Sequence, residues 1–467
     1  MSRKTRPEGR PATYGEVFAD VEYRAIYAAS ALSWIGDFMA KAAVTALVYM
    51  QTASVTASAA AFAISFLPWV VGGPVLAALA ERYPHRTVMI SCDLARAALI
   101  ALVALPNLPI PAMLVLLFTA ALLNPPFDAS RSALLPRILD GDRYVVGLAI
   151  QTSTGQAAQV VGYLSGAALA ALNPRLALLI DAGTFVCSAL LIGLRIRPRS
   201  ALLDRAQRTH LLKETAQGFR VVFGTPVLRA IAVTVLAMQL FTSPPEGLAA
   251  AWANTREHVP SHRGLAQGLI MMAVPFGYFL GGLVINRFVG PEQRRRMIRP
   301  FAVLAPVTLV PALLDPPTLV VALLAALCGV CVAGMLPASN GLFVQALPRQ
   351  YRARAFGVMQ SGLQITQAGA VMVTGALANH RSLAHVVGWW SLAGIVLVLA
   401  VSLRWPAPSE FAAAIDRTQK ANAAAEAAEA GIPMTLPPPA NTPQASNGSH
   451  RPTTESRHHR VPGTMEG

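Results

Sequence analysis

The chain has 467 residues, of which 54% are hydrophobic and only 13% charged, and its mean hydropathy is +0.48. Soluble globular proteins carry nearly twice that share of charge, so an ordinary water-soluble enzyme is excluded. The net charge of +15 sits in short basic runs between long apolar stretches with no basic-aromatic patch, which argues against a nucleic-acid surface.

Residues 1–24 are polar and basic, with Arg3, Lys4, Arg6 and Arg10. A helix needs about 20 apolar residues to cross the hydrocarbon core of a bilayer. The first half offers six such runs, at 25–50, 55–80, 87–106, 110–135, 144–171 and 175–197. The first is too long for a secretory core and carries Asp37 and Lys41, so no cleaved signal is expected. Residues 198–226 form a basic connector with a short amphipathic helix predicted around Lys213 to Val222. Six further runs follow at 227–252, 265–289, 300–315, 317–347, 355–379 and 384–405. From 406 to 467 the character changes: Ser409 is placed to cap an alanine-rich surface helix, and beyond Pro433 the composition is too polar to build a core. The predicted fold is an all-α integral membrane protein, with twelve transmembrane helices in two six-helix bundles at 25–197 and 227–405.

Twelve crossings put both termini on one side. That side holds the N-terminal basic residues, the loop from Glu81 to Arg86, the connector, the run Arg294-Arg295-Arg296 and the cluster Arg349, Arg352 and Arg354. The opposite loops hold few basic residues, so the expected orientation is multi-pass in the cell membrane with both termini cytoplasmic.

The halves carry traces of one another. Ala77, Glu81, Arg82 and then Pro84-His85-Arg86 after the second run match Gly282, Asn286, Arg287 and then Pro291 and Arg294-Arg295-Arg296 after the eighth. Ala129-Ser130 followed by Leu135-Pro136-Arg137 matches Ala338-Ser339 followed by Leu347-Pro348-Arg349. Each half is then a six-helix unit related to the other by duplication, which gives the bundles their pseudo-symmetry.

On these residues the chain resembles the major facilitator superfamily over about residues 20–405. Members commonly carry Gly-x-x-x-Asp-Arg-x-Gly and two basic residues between spans two and three. Here the acid-arginine core survives as Glu81-Arg82, while Ala77 and Pro84 stand where the glycines would be. Leu32-Ser33-Trp34-Ile35-Gly36-Asp37, Asp93-Leu94-Ala95-Arg96 and the stretch from Phe127 to Pro136 resemble the branch of macrolide-efflux and siderophore-export proteins. The Gly-Pro of drug antiporters is missing, since Gly162 is followed by Tyr163. The resemblance implies alternating access and a charged cytoplasmic latch at Glu81, Arg82 and Arg86. Asp93, Asp128 and Arg131, with Arg96 beside Asp93, extend that charged layer.

Ionisable groups inside spans cost several kcal/mol and need a reason. Asp37 lies about twelve residues into the first run, with Lys41 one turn further on the same face. Two readings stand: a neutralising Asp37–Lys41 pair that packs the bundle, or a proton site at Asp37. Ser243-Pro244-Pro245-Glu246 breaks the seventh run, and broken helices line cavities, which makes Glu246 a second proton candidate. Asp181 reads as an interhelical hydrogen-bonding residue. Thr152, Gln156, Gln159 and Tyr163 recur on one face of span five, and Gln360, Gln364 and Gln367 do so on span eleven, its duplicate. These stripes face either neighbouring helices or a substrate pathway. Cys328 and Cys331 lie in an apolar run without further ligands and read as packed small residues rather than a metal or redox pair. Gly162/Gly166 and Gly277/Gly281 allow close helix approach.

There is no GxxxxGK[ST], HExxH or GxSxG pattern, so no ATP site, no enzymatic role and no cofactor is expected. The reading is a secondary exporter of an amphipathic or hydrophobic small molecule in the lipid bilayer, driven by a proton gradient through antiport. Uptake or facilitated flow through the same fold, and a transporter-like protein that moves nothing, are the alternatives.

Overall fold

The computed structural model describes residues 12–71, 83–199 and 211–429. Every secondary-structure element among these residues is a helix, with no strand among them. The described residues up to 421 form one compact unit; of the second, 422–467, only the last turns of helix Pro408–Glu429 are described.

Twelve transmembrane spans follow the chain. The first is Val21–Thr52, the second Val55–Ala63 with Leu67–Val71, the third His85–Val103 and the fourth Ile110–Ala121 with Asn124–Ile138. The fifth is Asp142–Leu172 and the sixth Pro174–Arg195. In the second half the seventh is Pro226–Thr242 with Pro244–Arg256, and the eighth is Pro260–Phe288. The ninth is Pro291–Val307 followed by a 3-10 turn Val310–Leu314, and the tenth is Thr318–Gln345. Arg352–Ala378 and Leu383–Leu403 complete the set. Eight of these segments are long and apolar enough to cross a membrane by their own composition. The second, of which the described residues end at Val71, is not among them, nor are the third, fifth and eleventh; the runs of these three are diluted by Asp93 and Arg96 or by the glutamine stripes, so neighbours must shield their polar faces.

Local chemistry sets the ends. The Asp20 carboxylate accepts from the backbone N–H of Glu22 at 2.8 Å and of Tyr23 at 3.1 Å, starting the first span. Ser54 caps the second span through Ala57 N at 3.2 Å, and Asn173 caps the sixth through Arg175 N at 3.0 Å. Two boundaries differ from the sequence expectation. The ninth span begins at Pro291, about two turns before its apolar run, because proline suits the first helical turn and the arginines project into water from a helix. The tail helix starts at Pro408, so Ser409 sits inside its first turn rather than capping it. The connector helix runs Leu211–Gly224 and packs on the eleventh span, where Arg354 Nη1 donates to Gln217 Oε1 at 2.7 Å.

The largest core cluster unites second-half residues such as Trp252, Met271 and Phe343 with Ala42, Phe62, Tyr163 and Ala167 of the first half. Spans five and eight meet closely, as do spans two and eleven. Small residues make this approach: at Gly264 of span eight a Cβ would overlap the Ala167 carbonyl of span five, and at Gly375 of span eleven the Ala59 side chain of span two. Cys328 and Cys331 are buried, unbridged and packed in the same core. Ser130 and Ser339, the matched serines of the repeat, are both buried with hydroxyls that lack a hydrogen-bond partner.

Candidate functional site

Pro244 and Pro245 end one helix and open the next, which puts Glu246 in the first turn of Pro244–Arg256. Unsatisfied N–H groups and the positive end of the helix dipole favour a carboxylate there. Glu246 is only 7% exposed. From span five the Tyr163 hydroxyl donates to its Oε1, and Gln159 Nε2 donates to the same oxygen at 3.3 Å. From span eleven Gln367 Nε2 reaches Oε2 at 3.5 Å, and Gln367 Oε1 in turn accepts from Gln239 Nε2 at 3.2 Å. The carboxylate therefore sits where the two halves of the chain touch. Both polar stripes converge on it.

The rest of the stripes stays apart from Glu246. Thr152 is exposed and returns its hydroxyl to the Leu148 carbonyl at 3.0 Å. Gln156 and Gln364 are half-buried and Gln360 is exposed.

A second cluster lies within the first half. Asp37 pairs with Arg96 of the third span rather than with Lys41, which overturns the helix-local pair, one of the two readings of that spacing. A guanidinium presents a planar fork to a carboxylate, and Arg96 also stacks 4.0 Å above the Phe185 ring and reaches Ser33 Oγ at 3.4 Å. Lys41 is left with its ammonium 4.9 Å and 5.0 Å from the ring centres of Phe38 and Phe66, within electrostatic reach of both Asp37 and Glu246. Asp93 and Asp181 are fully buried beside this pair. Asp93 lies 3.8 Å from Arg96, and Asp181 accepts from Thr184 Oγ1 at 3.4 Å. Gly36 permits this approach, since a Cβ there would overlap Asp181 and Thr184. A cavity of about 40 Å³ among Asp37, Lys41, Arg96 and Asp181 has room for an ion or a few waters, not for an organic molecule.

The charged layer expected at one mouth is divided. Asp93 lies about 12 Å along the helix from His85, at the level of the Asp37–Arg96 pair. Asp128 and Arg131 pair at 2.9 Å, with Arg131 stacked 4.7 Å from Trp34, and Arg86 donates to the Gly193 carbonyl. Glu81 and Arg82 lie outside the described residues. Three polar residues at contacts between the halves escaped the sequence reading. Gln239 extends the Glu246 network, Gln267 donates to the Ala42 carbonyl at 2.8 Å, and Asn379 accepts from Val55 N at 3.1 Å. Each is a single amide near or within an apolar run, without periodic partners to mark it.

Comparison with known proteins bears on this arrangement. The family model described as Major Facilitator Superfamily matches residues 26–315 and, in a second match, 264–427. The chain is 26% identical over 333 residues to the multidrug efflux pump Tap of Mycolicibacterium fortuitum, covering 68% of this chain and 79% of that protein. It is 20% identical over 405 residues to macrolide efflux protein A of Streptococcus pyogenes, covering 84% and 96%. Among solved structures, a variant of the nucleoside transporter NupG superposes with a TM-score of 0.66 at 13% identity, covering 82% of this chain and all of that one. An inward-facing bacterial homolog of the human lysosomal transporter Spinster superposes with a TM-score of 0.62 at 14% identity, covering 85% and 98%. At such identities the structures establish the fold alone.

Proposed function

The chain belongs to the major facilitator superfamily, and from that premise we propose that it exports an amphipathic or hydrophobic small molecule by alternating access, in exchange for protons. It is a multi-pass membrane transporter of small molecules, not an enzyme. The observation that carries the proposal is Glu246: one buried carboxylate held by Tyr163 and Gln159 from one half and by Gln367 from the other. Rocking of the halves would break the bonds from Tyr163 and Gln159, leave Gln367 in place, and change how readily the carboxylate keeps a proton. Such a group links proton binding to the position of the halves, which is what antiport requires. Asp37, tied to Arg96 beside a cavity too small for an organic substrate, is the second proton-coupling candidate.

In this reading residues 25–197 and 227–405 are the two moving bundles, joined by a cytoplasmic connector at 198–226. Residues 1–24 and 406–467 are cytoplasmic tails, and the protein resides in the cell membrane. The remaining stripe residues Thr152, Gln156, Gln360 and Gln364 line the pathway. Glu81, Arg82 and Arg86, with Asp128 and Arg131, form the cytoplasmic latch, while Asp93 belongs to the buried cluster around Arg96. Export of drug-like molecules rests on the relatives named as multidrug and macrolide efflux proteins.

The test is accumulation of a panel of amphipathic compounds in a bacterial host lacking its own pumps, with and without a protonophore. Lower accumulation on expression, reversed by the protonophore, supports proton-driven export. Raised accumulation would reverse the direction. No change across the panel would leave a transporter of narrow substrate range or a non-transporting member of the family.

A further inference from the structure

A groove of about 540 Å³ is formed by the ninth and twelfth spans at the end of the bundle from which the tail helix leaves. Its rim carries Arg296 and Arg299, and its walls are Val303, Leu304, Val307 and Leu399. At 1.5 Å of rise per residue, Val307 lies about 12 Å deeper along the helix than Arg299. The groove thus passes from cationic to apolar over the depth of a lipid headgroup and the start of its chains. Leu304 and Leu399 are each 46% exposed, so the trough is open to whatever surrounds the bundle.

The rim charges are poorly answered by the protein. The ion pair that Arg296 makes at 3.1 Å is with Glu292, both side chains being about 80% exposed, where such pairs contribute little. Arg299 makes no hydrogen bond or ion pair among the described residues. Ser402 lines the same groove, is only 6% exposed, and its hydroxyl lacks a hydrogen-bond partner among the described residues. Two guanidinium groups at the rim of an apolar trough match a phosphate attached to an acyl chain. A zwitterionic lipid would fill the trough but bring no net charge to the arginines. Free phosphate would answer the arginines and leave the trough bare.

We propose that this groove binds an anionic phospholipid of the adjoining leaflet, its phosphate between Arg296 and Arg299 and one chain along Val303, Leu304, Val307 and Leu399. Native mass spectrometry of the full-length purified protein tests it, with phosphatidylglycerol and phosphatidylethanolamine of identical chains as probes. The wild type is expected to retain phosphatidylglycerol several-fold better than phosphatidylethanolamine. Arg296→Ala with Arg299→Ala should abolish that preference, while Arg417→Ala with Lys420→Ala on the tail helix, an equal loss of charge, should keep it. Leu304→Trp, which leaves both arginines in place and fills the trough, should lower retention of both lipids and serves if the double alanine variant does not fold. Equal retention of the two lipids by the wild type overturns the proposal, as does unchanged phosphatidylglycerol retention in the groove variants.

Discussion

The Tyr163 hydroxyl on the fifth span donates directly to the Glu246 carboxylate on the seventh, so one buried hydrogen bond joins the two halves of the chain. Hydrogen bonds to charged groups contribute about 1.5–3 kcal/mol, equivalent to roughly a ten- to hundred-fold change in an equilibrium. Tyr163→Phe keeps the ring, which packs edge-on against Phe38 at 5.1 Å, and removes only the donor. The expected result is a loss of about tenfold in protonophore-sensitive export with little change in folding. Glu246→Gln should abolish uphill transport altogether while leaving the protein monodisperse on gel filtration. Export by Glu246→Gln within twofold of wild type would remove this carboxylate from the coupling role.

Asp37 should behave differently, because its charge is already matched by Arg96. Removing one partner of a buried ion pair costs about 3–5 kcal/mol, since the other is left uncompensated. Here Arg96 faces Asp37 and Asp93 and is within electrostatic reach of Asp181, so Arg96→Ala strands an acidic cluster. A clear drop in melting temperature is expected for Arg96→Ala, measured on the purified protein. Adding Asp37→Asn should recover part of it. If Arg96→Ala melts with the wild type, the cluster is not held together in this way.

These sites show how far a single sequence reaches. The spans follow from hydrophobic run length, and their ends from capping residues such as Asp20, Ser54 and Asn173, all of which are local properties. Glu246 stands out in the sequence because Pro244-Pro245 precedes it, and the stripes stand out because glutamines recur at helical spacing. That Gln159, Tyr163 and Gln367 meet at Glu246 depends on how the helices are rotated, which the packing of Gly162, Gly166 and Gly277 against backbone settles in three dimensions. The partner of Asp37 is hidden from the sequence for the same reason. Lys41 is close in sequence, whereas Arg96 is close in space and binds with a planar fork. Single amides such as Asn379 carry no repeating pattern at all.

The glycine contacts give a test independent of any transport assay. A Cβ at Gly277 would overlap the Ala326 carbonyl, and one at Gly329 the Val274 carbonyl, so the eighth and tenth spans touch through backbone. Backbone cannot turn aside as a flexible side chain does. Overpacking of this kind costs about 1–3 kcal/mol. Gly277→Ala and Gly329→Ala should each lower the yield of folded protein and its melting temperature. Gly282→Ala, where a Cβ meets nothing within 4 Å, should match the wild type. Equal melting of all three would mean that the two spans lie further apart than described.

At the end of the bundle remote from the tail helix, a small polar clasp holds spans two and eleven together. Asn379 Oδ1 accepts from the backbone N–H of Val55 at 3.1 Å and of Thr56 at 3.4 Å, and Thr56 Oγ1 donates to the Gly375 carbonyl at 3.2 Å. Gln267 adds a parallel tie from span eight to the Ala42 carbonyl of span one at 2.8 Å. If the halves rock, these bonds exist in the state closed at this end and break in the other, so they bias the balance between the two. Each net hydrogen bond contributes about 0.5–1.5 kcal/mol, enough to shift a two-state population two- to ten-fold. Asn379→Ala should therefore raise the reactivity of the Thr45→Cys variant, at a position of span one that is 1% exposed, toward a membrane-impermeant thiol reagent. Gln267→Ala should act in the same direction and more strongly, since Gln267 Nε2 also donates to Thr45 Oγ1 at 3.3 Å and covers it directly, and the two together should exceed either alone. Unchanged labelling in the double variant would show that the apolar contacts of spans five and eight hold this end closed without the clasp.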